Sequence, residues 1–432
     1  MKLLRLNNDF NDILHELEYT FDNYFITGRA GTGKSTLLQL FRQTTHKRVV
    51  VLAPTGIAAL NVRGQTIHSF FSFPPRIINK SEIKRSPNFH LFKNIDAIVI
   101  DEISMVRADI IDHIHQSLVL NRQNNSLFGG IQMIFFGDLY QLPPVVSGVF
   151  EKQYFRTVYH SPYFFSAKIF EQIDLKFIEL NKVYRQEEKD FIQLLDKIRT
   201  GNMDEDDFWY LNERFCAPEN EDDHLLITLS SRNDIASTIN KNKLESLPHP
   251  VVLFQAKIQG EFSPQLFPTD YSLHLKIGAQ VMFVRNDPFR RYVNGTIGIV
   301  KRIDEGKVYV VVVHDHTGVE NEIEVEPADW DILKYEFNSV TPKEINIKTL
   351  GTFTQLPLKL AWAITIHKSQ GKTFDKIMID LGSGAFETGQ TYVALSRCRT
   401  LNGVYLRNPI KYKDIIVDPR IQSYYNGLKY LN

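Results

Sequence analysis

The 432-residue sequence predicts an α/β fold with two α/β units and a small β-barrel inserted in the second. Three observations predict it. Strand-like apolar runs alternate with helical stretches near both ends of the chain. Residues 278–351 have a different texture, with short β-branched runs punctuated by turn signals. The length itself calls for two to four domains at roughly 100–200 residues each.

In chain order, residues 24–27, 48–53, 97–100 and 131–136 read as buried strands. Between the last two lies RADIIDHIHQSLVL, with Ile110, Ile111, Ile114 and Leu118 at helical spacing. A second set of strands falls near 225–229, 361–366, 376–381 and 403–406. Within the second set, between 229 and 361, TIGIVKRI, KVYVVVV and EIEVE are separated by Asn294-Gly295, Glu305-Gly306 and Thr317-Gly318, the pattern of a β-barrel. The expected division is 1–170, 171–277, 278–357 and 358–432, the second and fourth segments forming one unit around the inserted third.

Composition narrows the function. With 43% hydrophobic and 23% charged residues the chain is neither disordered nor of low complexity. Fifty Lys and Arg balance fifty Asp and Glu, so no global positive field attracts nucleic acid. The charge is uneven, however. Residues 60–93 hold six Lys or Arg and one acid, 281–302 hold five and one, and 201–224 hold nine acids and one Arg. Any basic surface is therefore local. Two cysteines, Cys216 and Cys398, support neither a disulfide framework nor a Cys-based zinc site. The start, MKLLRLNNDFNDILHEL, lacks a signal pattern, and no 18-residue apolar stretch occurs. A cytoplasmic protein with no membrane partner is expected.

Gly28-Arg29-Ala30-Gly31-Thr32-Gly33-Lys34-Ser35 fits G-x-x-x-x-G-K-[ST] between a strand and a helix. Such a loop turns backbone N–H groups inward around phosphates, and the following helix adds its positive end. Gly28, Ala30, Gly31, Thr32, Gly33, Lys34, Ser35 and Thr36 are the candidate nucleotide-binding residues. Lys34 suits the β- and γ-phosphates, and the Ser35 hydroxyl suits Mg²⁺. Seventy residues on, AIVIDEIS ends a strand in two carboxylates. Asp101 suits the Mg²⁺ shell, and Glu102 suits the base that orients and deprotonates water. Together these features predict an NTP hydrolase.

The remaining motifs resemble those of superfamily 1 helicases. Asp101-Glu102-Ile103-Ser104 is similar to motif II, GDLYQLPPV from Gly137 to motif III, and KVYRQ from Lys182 to motif IV. APTGIAALNVRGQTIHSFF from Ala53 resembles motif Ia, LKLAWAITIHKSQGKTFD from Leu358 motif V, and YVALSRCR from Tyr392 motif VI. Residues 107–138 resemble the signature of the petite-integration-frequency (PIF) helicases, a family of the 5′-to-3′ branch. The match runs in order from about Tyr24 to Arg399.

The resemblance implies two RecA-like P-loop NTPase domains with ATP and Mg²⁺ between them, and an inserted Src-homology-3-like β-barrel. It implies that Gln141 senses the γ-phosphate, that Arg185 and Arg397 act as arginine fingers, and that Gly371 brings backbone N–H groups near the γ-phosphate. One departure stands out. The family usually carries an adenine-reading Gln before the phosphate loop, whereas the first Gln here is Gln39. Looser base selection among NTPs is therefore expected.

Small polar residues beside His and aromatics suit contacts to phosphates and bases without sequence readout. The resemblance places Thr55, Gly56, Asn61, Thr66 and His68 of the first unit on a single-stranded DNA path, with Phe70 and Phe71 as stacking surfaces. Thr365, His367, Lys368 and Ser369 do the same in the second. Phe73-Pro74-Pro75-Arg76, near an insertion spanning 62–90, is the candidate duplex-splitting wedge. The barrel, with Arg285, Arg290 and Arg291 near its start, is expected to line the DNA path or dock protein partners. The expected function is an ATP-dependent helicase in DNA repair, replication or genome maintenance. It is expected to act on single-stranded and forked DNA, G-quadruplexes or RNA–DNA hybrids, as a monomeric bacterial or phage-type minimal form. A RecD-like translocase and a slow NTP-regulated binding switch are the alternatives. The paired carboxylates and the two arginines argue against the switch.

Overall fold

The computed structural model describes residues 8–146, 148–173, 175–215, 225–289, 291–314, 319–337 and 345–429. The first unit is a parallel sheet of β1 (Asn23–Gly28), β2 (Val49–Ala53), β3 (Gln65–Thr66), β4 (Ala97–Ile100), β5 (Gln132–Phe136) and β6 (Leu175–Leu180). Their spatial order is β3-β2-β4-β5-β1-β6. Central strands such as AIVI and QMIFF are buried along their whole length, because helices cover both faces of a parallel sheet. The helix Ala108–Arg122 buries even its polar side chains. Asp109 is paired with Arg107 at 2.8 Å, and Asp112 accepts from the backbone N–H groups of Lys168 and Ile169.

The second unit is a smaller parallel sheet in the order Ala363–Thr365, Ile227–Ser230, Ile377–Asp380, Val404–Leu406. The chain leaves it after Ile227–Ser230 and returns at Ala363–Thr365. Between them, Val319–Val325, Lys307–His314, Ile297–Asp304, Gln280–Phe283 and Leu358–Leu360 form a five-stranded antiparallel sheet. Its apolar core includes Leu273, Val281, Phe283, Val300, Val310 and Leu358. The Glu305-Gly306 turn has φ of 49° and 81°, as a two-residue hairpin requires. Thr317-Gly318 lies outside the described residues, as do Cys216 and Arg290.

Both RecA-like units and the inserted β unit are thus present, but three boundaries move. β6 pairs with β1 along six residues from Asn23↔Leu175 to Gly28↔Leu180, so the segment after 170 still completes the first sheet. The insertion starts well before 278. Val252–Gln255 pairs with Ser272–Leu275, and Lys257–Gly260 joins Ala328–Phe337 and Ile345–Gln355 in a separate three-stranded sheet. The end of the chain does not stay with the second unit. The helix Pro419–Lys429 crosses to the first, where Tyr425 stacks on Tyr140 with centroids 5.3 Å apart, and its hydroxyl meets Thr27 Oγ1 at 2.9 Å. Large aromatic area buried against a foreign sheet outweighs sequence adjacency.

Candidate nucleotide and nucleic-acid site

The carboxyl ends of the parallel strands carry the site, as open α/β sheets require. β1 ends at Gly28, and the loop to the helix Lys34–Thr44 follows. Gly31 takes φ +82°, and a Cβ there would stand 2.5 Å from Arg185 Cβ, so a side chain would force the two segments apart. Tyr184 N–H donates to Gly31 O at 2.9 Å, which holds the KVYRQ segment over the loop. From the second unit, the Tyr392 hydroxyl accepts from Ala30 N–H at 2.9 Å. Lys34 Nζ donates to Gly28 O and Arg29 O at 2.6 and 2.9 Å, and burial pulls its pKa down. Ser35 and Thr36, on the first helical turn, are exposed. In the helix before the loop, the buried Phe10 ring approaches Gly33, 3.1 Å from where a Cβ would stand.

Asp101 and Glu102 follow β4. Burial, then the charge of Glu102, pushes the Asp101 carboxyl up to about 7, and burial raises Glu102 as well. Glu102 holds φ 52° and ψ 46°, a left-handed conformation that costs a non-glycine residue about 1–3 kcal/mol. Strain of this kind persists where the surroundings fix a side chain's direction. Here the partner is Gln370 of the second unit, whose Nε2 donates to Glu102 Oε2 at 3.1 Å and to Gln141 Oε1 at 3.3 Å. Gln141 Nε2 in turn faces Asp138 Oδ2 at 3.3 Å. Asp138 is fully buried beside Arg199, whose NH2 donates at 3.0 Å, and the Tyr392 hydroxyl approaches at 3.4 Å. Burial alone would raise Asp138, but Arg199 and Lys34 hold it below the ordinary carboxylate range.

Both predicted fingers lie at this junction. Arg185 NH1 donates to Ser396 O at 3.0 Å, and burial, then Arg397, lowers it to about 9. Arg397 is buried, donating to Val393 O, Ser396 Oγ and Lys372 O, and burial lowers it to about 10. Gly371 follows Gln370 on an open side of the site.

The predicted DNA contacts divide. Thr55, Thr66 and Thr365 each cap a short helix, their hydroxyls accepting from Ala58, Ser69 and Lys368 N–H. Asn61 and Lys368 are exposed, and His68 is half-buried, its pKa lowered by burial and then by Arg107. His367 Nε2 lies 3.0 Å from Glu387 Oε2. Gly56 abuts the insertion at Leu266. Ser369 is a correction: its side chain is fully buried and donates to Ile366 O, so it shapes the turn rather than facing a strand. Phe70, Phe71 and Phe73 are corrected too. All three are core residues, Phe71 stacked on Phe73 at 5.2 Å, so they offer no ring to a base and Phe73 no wedge tip. Sequence reasoning gave Gln370, Asp138 and Tyr392 no role at the nucleotide site although each sat inside a quoted motif, and missed Arg199, which had no motif to mark it.

A phosphate loop closed over by a second RecA-like unit defines a two-unit P-loop NTP hydrolase. Comparison with known proteins narrows the class. The PIF1-like helicase profile matches residues 6–208, and the profile of the DNA helicase Pif1 2B domain matches 264–303. The ATP-dependent DNA helicase Pif1 of Campylobacter jejuni is 31% identical, covering 95% of this chain and 96% of its own. The crystal structure of Bacteroides sp Pif1 in complex with ADP-AlF4 is similar at TM-score 0.89 and 34% identity, covering 99% of this chain and 98% of that one. Bacteroides Pif1 bound to ssDNA, 35% identical over 98% and 97% of the two chains, superposes at 0.68. The chain belongs to the PIF1-like helicase family and is an ATP-dependent DNA helicase.

Proposed function

We propose that the chain moves 5′ to 3′ along single-stranded DNA and parts forked duplexes ahead of it, using ATP with Mg²⁺. The observation that carries this reading is the enclosure of one phosphate loop by both units: Ala30 meets Tyr392 and Gly31 lies under Arg185. A nucleotide held there touches both units, so its cleavage changes how they fit. A motor needs that coupling, and a one-unit kinase does not.

In this reading Glu102 takes the proton of the attacking water, while Gln141 senses the γ-phosphate. Lys34, Arg185 and Arg397 stabilise charge on the transferring group. Lys34 then exchanges its two loop carbonyls for phosphate oxygens. Ser35 and Asp101 suit the magnesium ion. Burial and the neighbouring Glu102 raise the Asp101 carboxyl to about 7, so a divalent cation bound there would favour its ionised form. Among the described residues no three His, Cys, Asp or Glu side chains converge, which suits an ion that keeps water and phosphate oxygens as most of its ligands. When bound, the ion neutralises phosphate charge. With no Gln before the phosphate loop, where the family reads adenine, base selection among NTPs is loose.

Thr55, Gly56, Asn61, Thr66 and His68 form the track in the first unit, and Thr365, His367 and Lys368 in the second. The inserted β unit is a surface for DNA or protein partners. Among the described residues no helix is long and apolar enough to cross a membrane, and we assign the chain as a cytoplasmic monomer. The test is unwinding of duplexes with a single 5′ or 3′ tail. Only the 5′-tailed substrate is expected to open, and opening from the 3′ tail alone overturns the polarity. Hydrolysis of GTP is expected to approach that of ATP, and a large preference for ATP overturns the base reading.

A further inference from the structure

The residue that joins the two units at the reacting centre is Gln370. It closes the helix Ile366–Ser369, whose outer side carries His367 and the exposed Lys368. Its backbone N–H donates to His367 O at 3.3 Å, so backbone and helix move together. Its side chain points the other way, with Nε2 on Glu102 Oε2 and Gln141 Oε1. The neighbours fix both amide orientations. Asp138 accepts only, so Gln141 must turn its Nε2 there and its Oε1 towards Gln370. Glu102 and Gln141 Oε1 are both acceptors, so Gln370 must present its NH₂ to them. Far behind this pair, Arg199 and Tyr392 hold Asp138 in place.

An amide neither gives nor takes a proton near neutral pH, so Gln370 has no part in moving the water's proton. What it does is occupy one oxygen of the base and the carbonyl oxygen of the sensor at once. Both groups must turn towards the γ-phosphate and the attacking water for hydrolysis, and in this arrangement one donor from the opposite unit restrains both. We propose that Gln370 is a positioning residue that latches Glu102 and Gln141 in a resting arrangement. DNA binding to the helix Ile366–Ser369 shifts the amide and releases them. Hydrolysis therefore waits for a strand. The proposal rests on reading Glu102 as the base and Lys368 as a DNA contact.

The test compares the full chain with Gln370→Ala, which removes the amide, and Gln370→Met, which keeps its length without a donor. Both are half-buried replacements outside the core, and thermal melting checks that each folds as the parent does. Steady-state ATP hydrolysis is measured without DNA and with saturating oligo-dT, and oligo-dT affinity by fluorescence anisotropy. Without DNA, both variants are expected to turn over about fivefold faster or more, the lower range of couplings between sites. The DNA-stimulated rate should stay near the parent's, so the stimulation ratio collapses, and oligo-dT affinity should match or exceed the parent's, because the strand no longer has to break the latch. A merely structural residue would lower both rates together. A DNA-free rate at or below the parent's in the folded variants overturns the latch. A parent that oligo-dT does not stimulate overturns the proposed motor, and the latch with it, whereas a stimulated parent with unchanged variants overturns the latch alone.

Discussion

Asp138 and Arg199 show how a single buried pair can organise a catalytic loop. Arg199 donates through NH2 at 3.0 Å and through Nε at 3.3 Å, with its guanidinium over the Tyr140 ring at 4.4 Å. Asp138 in turn fixes Gln141 at 3.3 Å, so the amide proposed as the γ-phosphate sensor is oriented from behind. Burying both ions is costly, and the pair survives because all its members are hydrogen-bonded. Removing one partner is a different matter. Arg199→Met is expected to cost about 3–5 kcal/mol of stability by leaving a buried carboxylate unmatched. A shift in the urea midpoint reads this, and an unchanged midpoint would refute the pair's structural role. Arg199 had no sequence signal, since a helical Arg is normally a solvated one. Lys34 and Asp101 were legible because their loop and strand-end contexts are local.

At the scale of elements, short helices with threonine caps recur at the strand ends. Thr55, Thr66 and Thr365 each stop a strand and start a helix, which brings polar backbone to one edge of each sheet. The helix Gln390–Leu395 begins differently, at Gly389 with φ 73°. A Cβ on Gly389 would stand 2.3 Å from Tyr140 O and 2.7 Å from Gln141 O. Those are backbone atoms of the other unit and cannot give way. Gly389→Ala is therefore expected to push the Gln141 loop outward, destabilising the fold by about 1–3 kcal/mol and lowering DNA-stimulated hydrolysis. Parent-like melting and turnover in that variant would show the contact to be slack. Most strands were legible from apolar runs. In the parallel sheets β3 and β6 were not, since β3 has two residues and the sheet-edge β6 is only half-buried, and several strands of the insertion, Ala328–Phe337 and Ile345–Gln355 among them, were not read either.

The whole molecule is joined by more than its nucleotide cleft. The strand Ala328–Phe337 of the insertion sends Tyr335 into the first unit, where its ring meets Phe70 and its hydroxyl accepts from Val51 N–H at 3.2 Å. Tyr335 N–H faces Gln65 Oε1 at 3.4 Å. The insertion is thus docked on the edge of the first sheet by a tyrosine whose hydroxyl accepts from a strand N–H. Tyr335→Phe keeps the ring and loses the acceptor, so a cost of about 1–3 kcal/mol is expected. Amide exchange at Val51 should accelerate with it. Unaltered protection there would mean that another group satisfies that N–H. At the opposite side, the helix Pro419–Lys429 ties the end of the chain back to the first unit through Tyr424, stacked on Phe165 at 4.3 Å, and Tyr425.

Two RecA-like units, an inserted β unit, the phosphate loop, the paired carboxylates and the family were all determined by the sequence alone. Each of these is written in local patterns: glycine spacing, apolar runs, motif order. The tertiary structure decided which side chains are free to act. Phe70 and Ser369 stand in motifs, yet packing buries both, and burial depends on neighbours far away in the chain. Gln370 reaches Glu102 across 268 positions, and Arg199 reaches Asp138 across 61. No local pattern encodes such pairs, because their geometry exists only after two separately patterned units have met.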